Sequence, residues 1–131
     1  MGRHLAVVVI VAVSAAGCHR VQPVYNVQNR PVPAVGQQSL SLDKVRDAIL
    51  SAAVVQRWQV VPVRPGMIRA TLRWQTHTAD ADILYSEQSY SIVLAGSSNL
   101  KQQDGDIHRN YNRAVQRLED EINRQLLRAA Y

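Results

Sequence analysis

The sequence predicts a two-layer α+β domain: an N-terminal helix, an antiparallel meander of three or four strands, and a C-terminal helix. Three observations lead to this prediction. Apolar residues recur at helical spacing over 41–57 and again over about 106–129. Between these stretches apolar and polar residues alternate, as in strands with one buried face. The chain has 131 residues, which favours one small domain.

The first helix is predicted from residue 41 to about residue 57. Ser39 or Ser41 can cap its N-terminus, and Asp43 in the first turn complements the helix dipole. Its apolar residues follow helical spacing and are expected to face the sheet: Leu42, Val45, Ile49, Ala52 and Ala53.

The central stretch is predicted to form the meander. A short strand at 58–63 precedes a turn at 64–66, where proline fixes φ and glycine accepts a positive φ. Later stretches alternate, with these residues on the apolar face: Ile68, Ala70, Leu72 and Trp74; then Ala79, Ala81, Ile83 and Tyr85; then Tyr90, Ile92 and Leu94. The apolar residues thus change from even to odd positions and back to even ones. Each of these changes requires a turn or a bulge.

Turns between the strands can account for both changes between even and odd positions. A centre at 87–88 pairs Tyr85 with Tyr90 and Ile83 with Ile92. The other change allows two interpretations, a hairpin centred at 77–78 or one long strand with a bulge near residue 77.

The hairpin centred at 77–78 also predicts side-chain pairs on the open face of the sheet. Arg73 would lie directly opposite Asp82, and Arg69 and Asp80 would be their neighbours.

The C-terminal helix is predicted to follow a polar loop at 96–105. Asp104 or Asp106 can cap it. Its apolar stripe is Ile107, Tyr111, Ala114, Val115, Leu118, Ile122, Gln125 or Leu126, and Ala129. The chain has no phenylalanine, so the large core side chains are expected to be Trp58, Trp74, Tyr85, Tyr90 and Tyr111.

The first 17 residues have the layout of an export signal. A short basic start precedes an apolar run at 5–13 and the small residues 15–17, and the only cysteine, Cys18, follows at once. The apolar run is too short for a membrane-spanning helix, which needs roughly 20 residues. Residues 1–17 are therefore predicted to be a signal peptide.

The stretch Ala15-Ala16-Gly17-Cys18 resembles the lipobox of bacterial lipoproteins. The resemblance implies cleavage before Cys18 and attachment of acyl chains such as palmitate to that residue. Acylation would also remove a free thiol that an ordinary signal peptide would leave exposed. In Gram-negative members of the family an Asp after the cysteine favours the inner membrane, so His19 implies delivery to the outer membrane.

Residues 18–40 are predicted to be the lipidated N-terminus and a flexible tether, and residues 41–131 the α+β domain. Prolines, one glycine and several amide residues interrupt any periodicity in the tether. At about 3 Å per residue, such a tether could hold the domain tens of ångströms from the bilayer. Its valines leave open the alternative that part of it docks on the domain.

The stretch 107–113, read as I-H-R-N-Y-N-R, contains the densest group of polar side chains. It resembles an I-H-x-N-Y-N-R stretch in small uncharacterised proteobacterial lipoproteins, although Ala114 stands where those have an aromatic residue. The resemblance implies the lipoprotein class and a shared fold, and no activity. The candidate binding residues are His108, Arg109, Asn110, Asn112, Arg113 and Arg117.

Two interpretations of this stretch remain open. In the functional one, the start of the helix binds a phosphate or carboxylate through backbone N–H groups, Arg109 and Arg113. In the structural one, which is favoured, Tyr111 is core, His108 bonds to a loop carbonyl, and the Asn side chains hold the adjoining polar loop.

Arginines also recur along one side of the last helix, at positions 109, 113, 117, 124 and 128. They are typical either of a solvated helix face, which is favoured, or of a surface for lipid phosphates or another anionic envelope component. The formal net charge of +5 is modest, and with export it argues against nucleic acid as a partner.

No catalytic, cofactor-binding or metal-binding motif is apparent. The histidines of the predicted domain are His77 and His108, and their spacing matches no customary metal-ligand pattern. The sequence therefore predicts a non-enzymatic lipoprotein with no cofactor. It would be anchored in the outer membrane, face the periplasm, and bind an envelope protein or an anionic envelope component. An anion-binding or small-ligand sensor domain is the alternative.

Overall fold

A computed structural model of the chain describes residues 22–98 and 105–131, with the backbone alone for Ser98 and 105–107. The elements in chain order are β1 (Val27–Pro31), α1 (Leu42–Val55), β2 (Gln59–Arg64), β3 (Met67–Trp74), β4 (His77–Tyr85), β5 (Ser89–Ser98) and α2 (Gly105–Ala130). The predicted α+β class, with two helices and an antiparallel sheet, is confirmed. The predicted signal peptide, Cys18, His19 and most of the predicted polar loop lie outside the described residues.

The sheet has five strands in the order β1-β5-β4-β3-β2, and every neighbouring pair is antiparallel. The predicted count of three or four strands is wrong because β1 adds a strand beside β5, and the first helix is therefore not the first element. β1 carries no apolar alternation, since Val27 alone among its residues is buried. An edge strand needs only backbone pairing on one side, and this leaves little imprint on the sequence.

The predicted flexible tether at 18–40 needs correction from residue 22 onward. Residues 27–31 form β1, and Val32 and Leu40 are buried in the core. The Val32 N–H also donates to the Gln88 carbonyl at 2.9 Å. Backbone pairing and buried valines therefore attach this segment to the domain, in line with the alternative that part of it docks.

The β3–β4 connection is a hairpin, and its centre lies two residues earlier than predicted. Trp74 pairs with His77, so the turn residues are 75–76. A turn at 75–76 and a turn at 77–78 leave the same residues on the buried face. The alternation of apolar residues is therefore equally consistent with both turns. Gln75 adopts a left-handed conformation with φ 51°. The predicted Arg73–Asp82 opposition is consequently wrong.

Two other side-chain pairs on the open face mark the true register. Arg69 Nε donates to Asp82 Oδ1 at 2.6 Å, and Thr71 Oγ1 donates to Asp80 Oδ1 at 2.6 Å. Cross-strand pairs of this kind stabilise a sheet by under about 1 kcal/mol and help to select its register.

The predicted β4–β5 turn is confirmed. Tyr85 pairs with Tyr90 and Ile83 with Ile92. The Ser86 N–H donates to the Ser89 carbonyl at 2.9 Å and closes the turn. This register places the predicted apolar faces of β4 and β5 together in the core.

Both helices pack against each other and contribute to one hydrophobic core with the buried face of the sheet. Ser41 caps α1, as one of the two predicted caps, by accepting from the Lys44 N–H at 3.3 Å. The α2 stripe is confirmed at its buried members: Tyr111, Val115, Leu118, Ile122 and Leu126. Neither helix in the described part of the chain has the length and apolar character needed to cross a membrane.

The aromatic residues fill the core largely as predicted. Trp58 and Tyr111 meet edge to face with ring centroids 6.4 Å apart. Trp74 differs, since it is only partly buried at the β3–β4 hairpin and lies against His77 with centroids 5.5 Å apart. The Tyr111 hydroxyl finds no hydrogen-bond partner among the described residues.

Candidate functional site

The N-terminal segment, residues 22–25, is bound to the first half of α2 by side chains that reach its backbone. The Asn112 Nδ2 donates to the Pro23 carbonyl at 3.0 Å, and Asn112 Oδ1 accepts from the Tyr25 N–H at 2.7 Å. His108 Nδ1 lies 3.2 Å from the Gln22 carbonyl oxygen, to which it donates when it carries the proton. Two helical side chains thus replace the strand partners that this segment lacks.

A polar group centred on Glu119, here called the Glu119 cluster, continues the attachment along α2. Tyr25 Oη donates to Glu119 Oε1 and Arg30 Nη1 donates to Glu119 Oε2, each at 2.8 Å. The Asn123 amide satisfies its neighbours when its nitrogen faces Tyr90 Oη at 2.7 Å and its oxygen faces Arg30 Nη2 at 2.8 Å. Glu119 is only 6% exposed, so these partners compensate for the burial of its carboxylate.

The same contacts shift the ionisation of the two tyrosines in this cluster. The hydrogen bond to Glu119, followed by burial, raises the pKa of Tyr25 above its usual value. Burial, followed by the charge of Glu119, raises the pKa of Tyr90 as well. Both phenols therefore stay protonated while the domain is folded at ordinary pH.

A groove of about 500 Å³ runs between the N-terminal segment and α2. We call it the α2 groove. It is lined by Gln22, Pro23, Val24, Tyr25, Arg109, Asn112, Arg113 and Gln116. Arg109, Arg113 and Gln116 are exposed and follow one another at intervals of about one helical turn. Two guanidinium groups and an amide beside exposed backbone can hold a carboxylate or a phosphate.

The six predicted binding residues divide into three groups in the structure. His108 and Asn112 are buried and bonded to the N-terminal segment. This agrees with the structural interpretation of the stretch, but their partner is the N-terminal segment and not the predicted polar loop. Arg109 and Arg113 line the α2 groove. Asn110 and Arg117 are exposed and do not line it.

The arginine stripe does not act as one surface. Arg124 Nη2 donates to Glu121 Oε2 at 2.6 Å, and this bond, with one from Gln125, lowers the pKa of Glu121. Arg128 lies beside α1, in a second groove with Asp47. Of these arginines, Arg109 and Arg113 line the α2 groove, and Arg117, Arg124 and Arg128 do not.

Sequence reasoning missed four residues of the Glu119 cluster: Tyr25, Arg30, Glu119 and Asn123. One signal was present. Polar residues recur at 108, 112, 119 and 123, at helical spacing and beside the apolar stripe of α2. A polar row in that position indicates a second element packed along the helix.

Within the described residues, no group of three or more His, Cys, Asp or Glu side chains is placed to hold a metal ion. Comparisons of the chain with protein family models, with curated proteins and with solved structures found no match. The features of this chain that bear on its function are therefore the chemistry of its N-terminal sequence and of the α2 groove.

Proposed function

We propose that this protein is a lipoprotein of the bacterial outer membrane, with its domain in the periplasm and a non-catalytic binding or structural role in the envelope. One observation carries the proposal. The sole cysteine, Cys18, directly follows an apolar run and three small residues in the order of a lipoprotein signal. Several acyl chains on one residue hold a protein stably at a membrane, whereas one chain binds reversibly.

The α2 groove supports a binding role for the domain. Its described lining offers guanidinium and amide groups, which recognise anions and hydrogen-bond acceptors. The Tyr25 hydroxyl and the Asn112 amide already hold intramolecular bonds. These groups suit contact with an envelope protein or an anionic envelope component better than nucleophilic or acid–base chemistry.

Acylation is tested by expressing the full chain in a Gram-negative host and measuring the intact mass of the mature protein. We expect a chain that begins at Cys18, carries acyl chains and fractionates with the outer membrane. A matched variant, Cys18→Ser, should remain uncut and unacylated. A wild-type chain that is uncut, or cut but unmodified at Cys18, would contradict the proposal.

Sorting is tested separately with His19→Asp. An acidic residue at this position should move the acylated protein to the inner membrane, and His19→Asn serves as a neutral control. A wild-type chain that is acylated but fractionates with the inner membrane would overturn the outer-membrane assignment while leaving acylation intact.

A sensor domain that binds a small anion is the second candidate, and the paired Arg109 and Arg113 favour it. Titration of the purified protein with inorganic phosphate distinguishes the two. A sensor predicts saturable binding that disappears in Arg109→Ala/Arg113→Ala, while Arg117→Ala, outside the groove, retains it. A role in contact with a larger envelope surface predicts no saturable binding of free phosphate.

A further inference from the structure

Several features of the chain converge on one end of the domain, here called the proximal end. Residue Asn26 Oδ1 accepts from the Leu94 N–H at 3.1 Å, so the chain before β1 runs toward the C-terminal end of β5. Thr78, two residues after the β3–β4 turn, pairs with Ser98 at that same end. The first turns of α2 bind residues 22–25 and therefore lie there too.

The opposite, distal end holds the β2–β3 turn, the β4–β5 turn and the start of α1. One groove brings Asp43 of α1 together with Pro65 and Tyr85 from these connections. β5 has 10 residues, which at about 3.3 Å each separates the two ends by roughly 33 Å.

The length of chain between Cys18 and the first described residue limits how far the domain can stand from its lipid. Gln22 follows Cys18 by four positions. A fully extended chain covers at most about 3.6 Å per residue, or roughly 14 Å in all. Since residues 22–25 are bonded to α2, Gln22 at the proximal end must lie within that distance of an acylated Cys18.

The chemistry of the proximal end suits a layer of lipid headgroups. Arg57, Arg73, Arg109 and Arg113 are exposed there, while the neighbouring Asp80 is half-buried and accepts from Thr71. Arg113 has no hydrogen bond or ion pair with any described residue. Lipid phosphates attract exposed arginines, and the guanidinium fork matches phosphate oxygens.

The β3–β4 hairpin adds an aromatic residue at the same end. Trp74 is partly exposed and lies against His77 beside the two-residue turn. Tryptophan is enriched at the boundary between hydrocarbon and water, where its ring is apolar and its N–H is solvated. This second observation is independent of the arginines and indicates the same surface.

We infer that the proximal end rests on the membrane surface and binds the phosphate groups of anionic phospholipids through Arg109 and Arg113. The inference rests on the proposed acylation of Cys18. The domain would then stand upright on the bilayer, connected to its lipid by the short chain between Cys18 and Gln22, with its distal end away from the bilayer.

The test uses the acylated full-length protein in phosphatidylcholine vesicles with and without phosphatidylglycerol. An acylated Cys18 cannot react with maleimides, so one introduced cysteine carries a single fluorophore. Asn110→Cys, exposed on the first turns of α2 and outside the α2 groove, reports from the proximal end, and Glu87→Cys reports from the distal β4–β5 turn. A nitroxide on the lipid headgroup quenches whichever probe lies near the surface.

We expect strong quenching at Asn110→Cys in phosphatidylglycerol vesicles and near-background quenching at Glu87→Cys. Arg109→Glu/Arg113→Glu should reduce the first signal several-fold. Arg64→Glu/Arg128→Glu, the same change of charge at exposed distal positions, should leave it unchanged. Removal of phosphatidylglycerol should act like the first double variant.

Two outcomes would overturn the inference. Equal quenching of both probes would mean that the proximal end does not face the membrane. Quenching at Asn110→Cys that is the same with and without phosphatidylglycerol and in both double variants would exclude binding of anionic lipids through Arg109 and Arg113. The intact mass of each sample is measured in parallel. A missing acyl mass therefore indicates failure of the proposed function, and a present acyl mass with either outcome above indicates failure of this inference alone.

Discussion

Asn112 uses both ends of its side-chain amide on the backbone of the N-terminal segment. It is 8% exposed, and its amide nitrogen and oxygen each have a backbone partner, at Pro23 and at Tyr25. Asn110, two residues earlier on the same helix, is exposed and takes no part in this attachment. Two residues of one type, in one short polar stretch, therefore have very different energetic roles.

We predict that Asn112→Ala lowers the free energy of unfolding by about 1–3 kcal/mol, because two hydrogen bonds made by a buried side chain are lost. Asn110→Ala should change it by less than about 0.5 kcal/mol. Urea unfolding of both variants measures the difference. Equal effects would mean that the N-terminal segment is not held through Asn112.

The sequence could place these residues on a helix but could not distinguish their roles. The pattern at 107–113 predicted a dense polar group and a buried Tyr111, and both are present. The partners of His108 and Asn112 lie 86 to 89 positions away along the chain. No local pattern records a contact between a side chain and so distant a backbone.

At the scale of elements, α1 ends in a motif that usually contains glycine. The Trp58 N–H donates to the Ala53 carbonyl at 2.9 Å, and the Arg57 N–H donates to the Val54 carbonyl at 3.0 Å. These paired bonds form a Schellman motif, with Arg57 in the left-handed conformation at φ 63°. A side chain with a Cβ is strained there, and glycine is not.

Arg57→Gly is therefore predicted to raise the free energy of unfolding by roughly 1 kcal/mol, since the strain of a Cβ in the left-handed region is removed. Arg57→Ala removes the same charge but keeps the Cβ, and it should give no such gain. Thermal unfolding of the two variants isolates the backbone effect. A gain in Arg57→Ala as large as in Arg57→Gly would point to charge instead.

The β3–β4 hairpin shows the limit of pattern reasoning for an element. Alternation correctly identified the buried faces of β3 and β4. A shift of the turn by two residues moves every partner yet changes no face, so alternation could not select the register. The turn conformation at Gln75 and the Arg69–Asp82 pair distinguish the two registers, and both depend on the folded hairpin.

For the whole molecule, two buried phenols link stability to alkaline pH. Burial raises the pKa of Tyr90 and of Tyr111 well above the ordinary value of 10.0. Above pH 10, the tyrosines of the unfolded chain lose their protons while Tyr90 and Tyr111 of the folded domain retain theirs. The unfolded state then binds fewer protons, so stability declines as pH rises.

We predict that the free energy of unfolding is insensitive to these two groups at neutral pH. It should fall above pH 10 by up to about 1.4 kcal/mol per pH unit for each retained proton. Urea unfolding at increasing pH measures the slope. Tyr111→Phe should reduce it by one residue's contribution, while Tyr131→Phe, which removes a phenol that is 89% exposed, serves as the control. A slope unchanged in Tyr111→Phe would contradict the assignment.

The sequence by itself determined the two helices, the buried faces of β3, β4 and β5, and the β4–β5 turn. Each of these leaves a local, periodic record, because a side chain's burial depends on its position within its own element. It also led to the prediction of an acylated Cys18. Only the tertiary structure decided that residues 22–31 belong to the domain and that Arg109 and Arg113 share a groove. Those outcomes come from edge-strand pairing and from hydrogen bonds between α2 and a backbone segment remote in the chain. Such contacts leave no periodic pattern in the sequence.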